Sequence, residues 1–480
     1  MRCSYCNLAC RFAVDTDDLG IIGLNYRDGR LCARGCANEI LLKSGRRLTN
    51  PVVEFLPTSW EATIKKIKDL ISRYQESMVI TVGSELTLDE FQLIRGLARA
   101  LKVRIIPIGL GGGDFQLDGV TVGNLSEIES AERLITFGSL FEAGPIIANS
   151  ILNFRYRKGT VLYHLDSLPS RIVSFADHFL PLSPGEEAKG LTEVLERKEF
   201  ASMVADVKEH PTLIIGAITP ARFSDPVAAG LALQYLARSL KKKVITITTK
   251  VGWSGDGTFE DLIRDVKGGK IKLILNFGDE LLYFADLLKG VRLITTTTFT
   301  IEPKRGWILL PAAISAEKGG KVRTVGGFET AEPFPPPSGV YPIEKLIGMI
   351  ATGIKPLRYE PVVVDDDFLF RRIEGRGKKG KGTITLYGVP SPIHFRDLFQ
   401  RPLWIWLSQK DLVRMRLTDY NTVRVGTKSY SIEAEPRVHP LLPEGVATIP
   451  IDSPQTWPLF SFSGSNLIPT EVRLWRGRST

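Results

Sequence analysis

Between residues 78 and 298 the chain repeats one pattern: a short, continuous apolar run, a turn, and a segment with apolar residues at helical spacing. The runs are MVITVG (78–83), VRIIPIG (103–109), ERLITFGS (132–139), TVLYHLD (160–166), TLIIGA (212–217), KVITITT (243–249), KLILNFGDE (272–280) and VRLITTTT (291–298). A half-exposed strand alternates apolar and polar residues. Most of these do not, which marks parallel strands covered on both faces. The intervening segments predict helices over 59–75 (with Ser59 as N-cap), 89–101, 186–197 and 226–241. Strand and helix in alternation predict an α/β fold, doubly wound, as two sheets.

The flanks differ from this middle. Residues 1–57 read as short strands and turns around the cysteines, and FPPPSG (334–339) breaks structure. A basic, glycine-rich stretch, RRIEGRGKKGKG (371–382), reads as a solvated linker. From TITLYG (383–388) onward, LVRMRL, NTVRVGT, YSIEAEP and GVATIP predict short strands of a small all-β domain. A length of 480 residues suits about three or four domains. With 43% hydrophobic and 24% charged residues, disorder is excluded. No run of 18 apolar residues predicts a membrane-spanning helix, and the N-terminus lacks the pattern of a secretory signal. A net charge of +9 is modest for this length, so no nucleic-acid partner is expected.

All five cysteines, Cys3, Cys6, Cys10, Cys32 and Cys36, lie in the first 36 residues. A chain that avoids cysteine elsewhere reads as cytosolic, and the cluster as metal ligands rather than disulfides. Two ligand sets compete. Cys3, Cys6, Cys10 and Cys32 have the C-x2-C-x3-C…C spacing that suits a 4Fe-4S cluster and leave Cys36 spare. Cys3, Cys6, Cys32 and Cys36 would make a tetrahedral zinc site and leave Cys10 idle. Arg34, in LCARG, would stand beside a cluster and raise its potential; the plainer reading is a surface charge.

Taken in order, LCARG, LITFGS…ADHFLPLSPGEEAKGL (134–191), FEDLIRDVKGGKIKLILNFGDE (259–280) and AEKGGKVRTVGGFE (316–329) resemble the molybdopterin oxidoreductase superfamily, which includes formate dehydrogenases and the large iron–sulfur subunit of NADH–quinone oxidoreductase. The resemblance covers nearly the whole chain. It implies an iron–sulfur domain (1–57), an α/β domain made of two stretches (58–131 and 254–370), a second α/β domain (132–253) and, after the linker, a β-barrel (383–480) of the kind that grips a pterin dinucleotide.

Catalytic members hold molybdenum or tungsten, commonly through a cysteine near VRIIPIGLGGGDFQLDGVTVGNLSEIE, and no cysteine stands there. Asp114 would be a hard oxygen donor, or a turn residue beside Gly111, Gly112 and Gly113. GLGGG also hints weakly at a phosphate cradle. His164 and His178 read as structural. The missing ligand is similar to the NADH–quinone oxidoreductase branch, whose subunit carries further N-terminal clusters. This chain starts at the cluster motif, so those would belong to a partner. The leading expectation is thus an electron-relay or scaffold subunit with one 4Fe-4S cluster, no catalytic residues and no pterin of its own. Its partners would be redox subunits carrying iron–sulfur clusters or flavin. It would be cytoplasmic, or peripheral on the cytoplasmic face of a membrane through those partners. The alternative is a catalytic subunit of the formate dehydrogenase or formylmethanofuran dehydrogenase kind, with molybdenum or tungsten on molybdopterin guanine dinucleotide. A zinc-stapled scaffold is the third reading.

Overall fold

A computed structural model describes residues 1–16, 22–25, 31–108, 115–249, 252–374, 384–398, 401–418 and 420–476. The chain divides into two units, each made of two separated stretches: Met1–Leu110 with Val251–Glu360, and Gly111–Lys250 with Pro361–Thr480.

The first unit is built on a seven-stranded sheet. Its order is Leu56–Pro57, Val52–Val53, Trp307–Pro311, Arg292–Thr297, Leu273–Phe277, Met78–Val82, Ile105–Pro107. The last five are mutually parallel and the first two antiparallel. Strands Met78–Val82 and Leu273–Phe277 are buried along their whole length, as their unbroken apolar runs require. Helix Trp60–Tyr74 starts at Ser59, whose side chain accepts from Ala62 N, and buries Ile64, Ile67 and Ile71 at helical spacing. Helix Leu88–Leu101 opens with a Thr87–Glu90 capping box. Its Phe91, Ile94 and Leu97 join the same core.

The second unit holds a five-stranded parallel sheet, ordered His178–Pro181, Val161–Asp166, Arg133–Phe137, Thr212–Ile218, Lys243–Thr248. Helix Pro226–Ser239 has eleven buried residues, because PVAAGLALQYLARS is apolar on most of its faces. The same unit contains a closed barrel of six strands, ordered Ile384–Val389, Val446–Pro450, Trp404–Leu407, Ser431–Val438, Val423–Gly426, Thr470–Arg476. The barrel meets the loop after Thr212–Ile218: Ala221 N donates to Leu467 O (2.8 Å), and Ala221 O accepts from Gly388 N (2.9 Å).

Several expected boundaries move. Residues 52–57, expected with the cysteines, pair onto the edge of the seven-stranded sheet. Strand Phe115–Leu117, expected in the same α/β domain as that sheet, lies in the second unit, parallel to Val362–Val364. The Gln234 side chain holds it there, accepting from Leu117 N (2.7 Å) and donating to Phe115 O (3.1 Å). Residues 371–374 end helix Asp366–Glu374 rather than open a linker, and 375–382 lie outside the described residues. The first half of LVRMRL, expected as a strand, falls in helix Gln409–Arg414: Ser408 caps it by accepting from Asp411 N, which overrides the β-leaning sequence that follows. The helix expected over 186–197 stops at Thr192.

Candidate functional sites at the N-terminal thiols and the strand ends

The cysteine segment folds back on itself within the first unit. Cys3 N donates to Cys10 O (3.0 Å), and Ala9, at φ +44°, makes the turn between them. Ser4 N donates to Ser315 Oγ (2.8 Å), Arg2 pairs with Glu329, and Asn38 Oδ1 accepts from Ala316 N (3.1 Å). Residues 315–329 thus form one wall of the thiol pocket. Cys32 supplies the opposite wall as N-cap residue of helix Ala33–Lys43. A helix N-terminus favours negative charge, so it suits a thiolate.

The electrostatics separate the five thiols. Burial raises the Cys3 thiol well above its ordinary range, and Cys6, Cys32 and Cys10 add repulsion. Cys6 is pushed up to about 11, by burial first and then by Cys32. Cys10 rises through burial, then Cys6 and Cys32. These four feel one another. Cys36 is raised by burial and feels only Cys32 and Glu39. It sits a turn along the helix, its N–H donating to Cys32 O (3.0 Å). Cys10 thus interacts with Cys3, Cys6 and Cys32, and Cys36 with Cys32. Among the described residues, no group of three or more Cys, His, Asp or Glu side chains is placed to hold a single metal ion. Arg34 is 1% exposed, not a surface charge, and its guanidinium draws the Cys6 thiol downward against that burial.

Each sheet has one point where strand order reverses. In open α/β sheets ligands bind outside the carboxyl ends of the strands at such points. In the first unit the point lies between Met78–Val82 and Leu273–Phe277. Polar groups at these strand ends pair with one another. Thr81 Oγ1 donates to Asn276 Oδ1 (2.7 Å), and Asn276 Nδ2 donates to Thr295 Oγ1 (2.8 Å). Glu280, buried, accepts through Oε1 from both Ser84 N (3.0 Å) and Ser84 Oγ (2.6 Å).

In the second unit the point lies between Arg133–Phe137 and Thr212–Ile218. Here the buried donors lack acceptors. Ser139 Oγ and Thr219 Oγ1, just past the two strand ends, have no hydrogen-bond partner. Neither do Nε and Nη1 of Arg222, which is fully buried. Arg222 Nη2 pairs with Asp166 Oδ2 (2.6 Å) and donates to Leu168 O (3.0 Å). Beside it Glu187 Oε1 accepts from Ser167 Oγ (2.7 Å) and Gly185 N (2.8 Å). Burial raises the Glu187 carboxyl, and burial, then Glu187, raises the Tyr387 phenol of the barrel. An adjoining cleft of about 830 Å³ is lined by Gly185, Glu187, Glu193, Ser224, Asp225 and Arg372.

The histidines read as structural stand inside this unit. His164, within strand Val161–Asp166 rather than at its end, contacts Thr136 Oγ1 (3.0 Å) and Ser170 Oγ (3.2 Å). His178 opens the sheet's edge strand and stacks on Tyr163. Asp114 and the GLGGG stretch (109–113) lie outside the described residues. Sequence reasoning overlooked Arg222, Asp166 and Glu280. The available signal was position: each follows or ends a parallel strand, where ligand-binding residues of such sheets collect.

No family model matches the chain. It is similar to the F420-dependent formate dehydrogenase subunit alpha of Methanocaldococcus jannaschii, 24% identical over 204 residues, which are 38% of this chain and 30% of that protein. It is similar to the assimilatory nitrate reductase catalytic subunit of Bacillus subtilis, 24% identical over 227 residues, 40% of this chain and 32% of that protein. The chain thus matches about a third of the length of these curated relatives. In fold it is similar to acetylene hydratase from Pelobacter acetylenicus, with a TM-score of 0.68, 12% identity, and coverage of 94% of this chain and 93% of that one.

Proposed function

We propose that the chain is a member of the molybdopterin oxidoreductase superfamily, a reading its relatives and its fold support, and that it is a catalytic-type subunit binding a molybdenum or tungsten pterin dinucleotide, with a 4Fe-4S cluster as its electron outlet. This reverses the leading expectation of a relay subunit without its own pterin. The relatives named above are a formate dehydrogenase subunit and a nitrate reductase catalytic subunit. The observation that carries the reading is Arg222: a buried guanidinium with two donor atoms lacking acceptors, at the switch point of a doubly wound sheet. An unpaired buried donor costs about 1–3 kcal/mol, so its acceptor is expected from outside the chain.

The residues fit such a group. Arg222, with Ser139 and Thr219, would donate to the dinucleotide's phosphates, since a planar guanidinium suits a phosphate better than a point charge does. Asp166 holds that guanidinium in place. When bound, the group supplies a metal centre that exchanges electrons with substrate. Cys3, Cys6, Cys10 and Cys32 would hold the cluster. Of these thiols Cys3 and Cys6 are buried and Cys10 and Cys32 half-buried, and a cationic cluster bound among them would relieve the repulsion between their thiolates. Arg34 adds positive charge beside Cys6, which raises a cluster's potential. Electrons would leave to redox subunits carrying iron–sulfur clusters or flavin. No helix among the described residues is long and apolar enough to cross a membrane. A cytoplasmic place, free or on a membrane through partners, is part of the proposal.

One observation favours the relay reading: no cysteine follows Cys36 to ligate the metal. Metal analysis of the anaerobically purified chain separates the readings. About four irons with one molybdenum or tungsten per chain supports the enzyme. About four irons and neither heavy metal restores the relay. One zinc and no iron leaves the scaffold.

A further inference from the structure

The two switch points differ in one respect that bears on how much cofactor the chain takes. In the second unit the strand-end donors are buried without acceptors. In the first unit the acceptor is already present, and it belongs to the chain. Glu280 reaches back so that Oε1 takes the Ser84 N–H and hydroxyl, the donors that follow Gly83, whose own N–H donates to Phe277 O. Its other oxygen lies over Gly83: a Cβ built there would stand 2.0 Å from Glu280 Oε2. Gly278, at φ +131°, would place a Cβ 2.9 Å from the same oxygen. Glycine on both strand ends lets the carboxylate enter the crevice. A side chain on either would push it out.

We infer that Glu280 closes the first unit's switch point to phosphate, so that the chain takes one pterin dinucleotide, at the five-stranded sheet, rather than one on each doubly wound sheet. The argument is electrostatic and steric. A phosphate entering the first crevice would need the Ser84 donors that Glu280 already uses. It would also meet a buried carboxylate, and like charges in a poorly solvated site repel strongly. In the second crevice the corresponding group is a buried guanidinium of opposite sign. Doubly wound sheets bind nucleotides through strand-end donors, and only one of these two has them free. The inference rests on the proposed pterin function and sharpens it to a stoichiometry and a location.

The test counts nucleotide, not activity. The full chain is purified anaerobically, its iron, molybdenum and tungsten are measured, and the nucleoside monophosphate released by mild acid hydrolysis is quantified per chain. One nucleotide per chain is expected. Two per chain overturns the inference and leaves the enzyme reading intact. None, with molybdenum or tungsten present, also overturns it alone. None, with neither metal, removes the enzyme reading as well. Location is tested with Arg222→Leu, expected to lower the count at least tenfold while iron per chain holds. An unchanged count would move the nucleotide off the five-stranded sheet. Should that variant not fold, Thr219→Val removes one hydroxyl at constant shape. About a tenfold faster loss of nucleotide on gel filtration is then expected, the worth of one hydrogen bond, and no change counts against the location.

Discussion

Arg222 and Asp166 form an ion pair 2.6 Å long in which both side chains are fully shielded from solvent. Burial works to raise the Asp166 carboxyl, and the Arg222 guanidinium and the neighbouring His164 together outweigh it, holding the carboxyl below its ordinary value of 3.8. A lowered folded-state value gives stability that is present above 3.8 and lost as pH falls through the folded value. Asp166→Asn leaves a buried guanidinium without its counter-ion and is expected to cost about 3–5 kcal/mol at neutral pH. Denaturant unfolding measured between pH 7 and pH 3 should show the parent losing stability toward the acid end while the variant's curve is flatter. Parallel curves would mean that the pair does not titrate as described.

Glu187 should behave in the opposite sense. Its carboxyl is raised by burial, so the ionised form is the costly one, and stability falls as pH rises through its folded value. Glu187→Gln keeps Oε1, the atom that accepts from Ser167 Oγ and Gly185 N. The melting temperature of the variant relative to the parent is expected to increase from pH 4 to pH 8. A difference that stays constant, or shrinks, would contradict burial as the cause.

The thiols make a comparison of two single substitutions decisive. Cys10 interacts with Cys3, Cys6 and Cys32, whereas Cys36 interacts with Cys32 and Glu39. Cys10→Ser is expected to lower bound iron several-fold and to bleach the visible absorbance of a cluster. Cys36→Ser should leave both near the parent level. The reverse order, with Cys36 indispensable and Cys10 dispensable, would return the zinc ligand set.

Gly96 lies on helix Leu88–Leu101 where a Cβ would stand 2.1 Å from the backbone oxygen of Lys355. Backbone cannot swing aside as a long side chain can. Gly96→Ala, usually a gain in helix propensity, is expected here to cost about 1–3 kcal/mol through overpacking. Urea unfolding gives the value, and a more stable variant would show that residues 354–355 yield.

The two sheets are legible in the sequence because burial on both faces leaves an unbroken apolar run, and runs such as MVITV and LILNF have no other economical use. Ser59 is legible as a cap because the chemistry is local: its side chain reaches three residues ahead. Local chemistry also explains the miss at LVRMRL. The capping signal, Ser408 with Asp411, sits just upstream of it and sets the backbone before the β-leaning residues are reached. Strand Phe115–Leu117 could not be placed from its own residues. Its partners, Val362–Val364 and Gln234, are more than a hundred positions away. The thiol quartet was half legible. Spacing left two ligand sets open, and it gave no sign of the fold-back that brings Cys10 to Cys3. Arg222 gave no local sign, because its role comes from a strand end and a barrel contact that assemble only in the folded unit.

The walls of the cysteine pocket come from opposite ends of the first unit's sequence: Cys3 to Asn38 on one side, Ser315 to Glu329 on the other. During synthesis the first thiols emerge some three hundred residues before the segment that covers them. At about 5–20 residues per second, that interval is on the order of tens of seconds. The five-stranded sheet, contiguous from Arg133 to Thr248, can form within it. The thiols cannot be enclosed until residue 329 has been added. Loading of the proposed cluster therefore belongs to the end of translation or after it, and until then the nascent chain carries its most oxidisable groups uncovered.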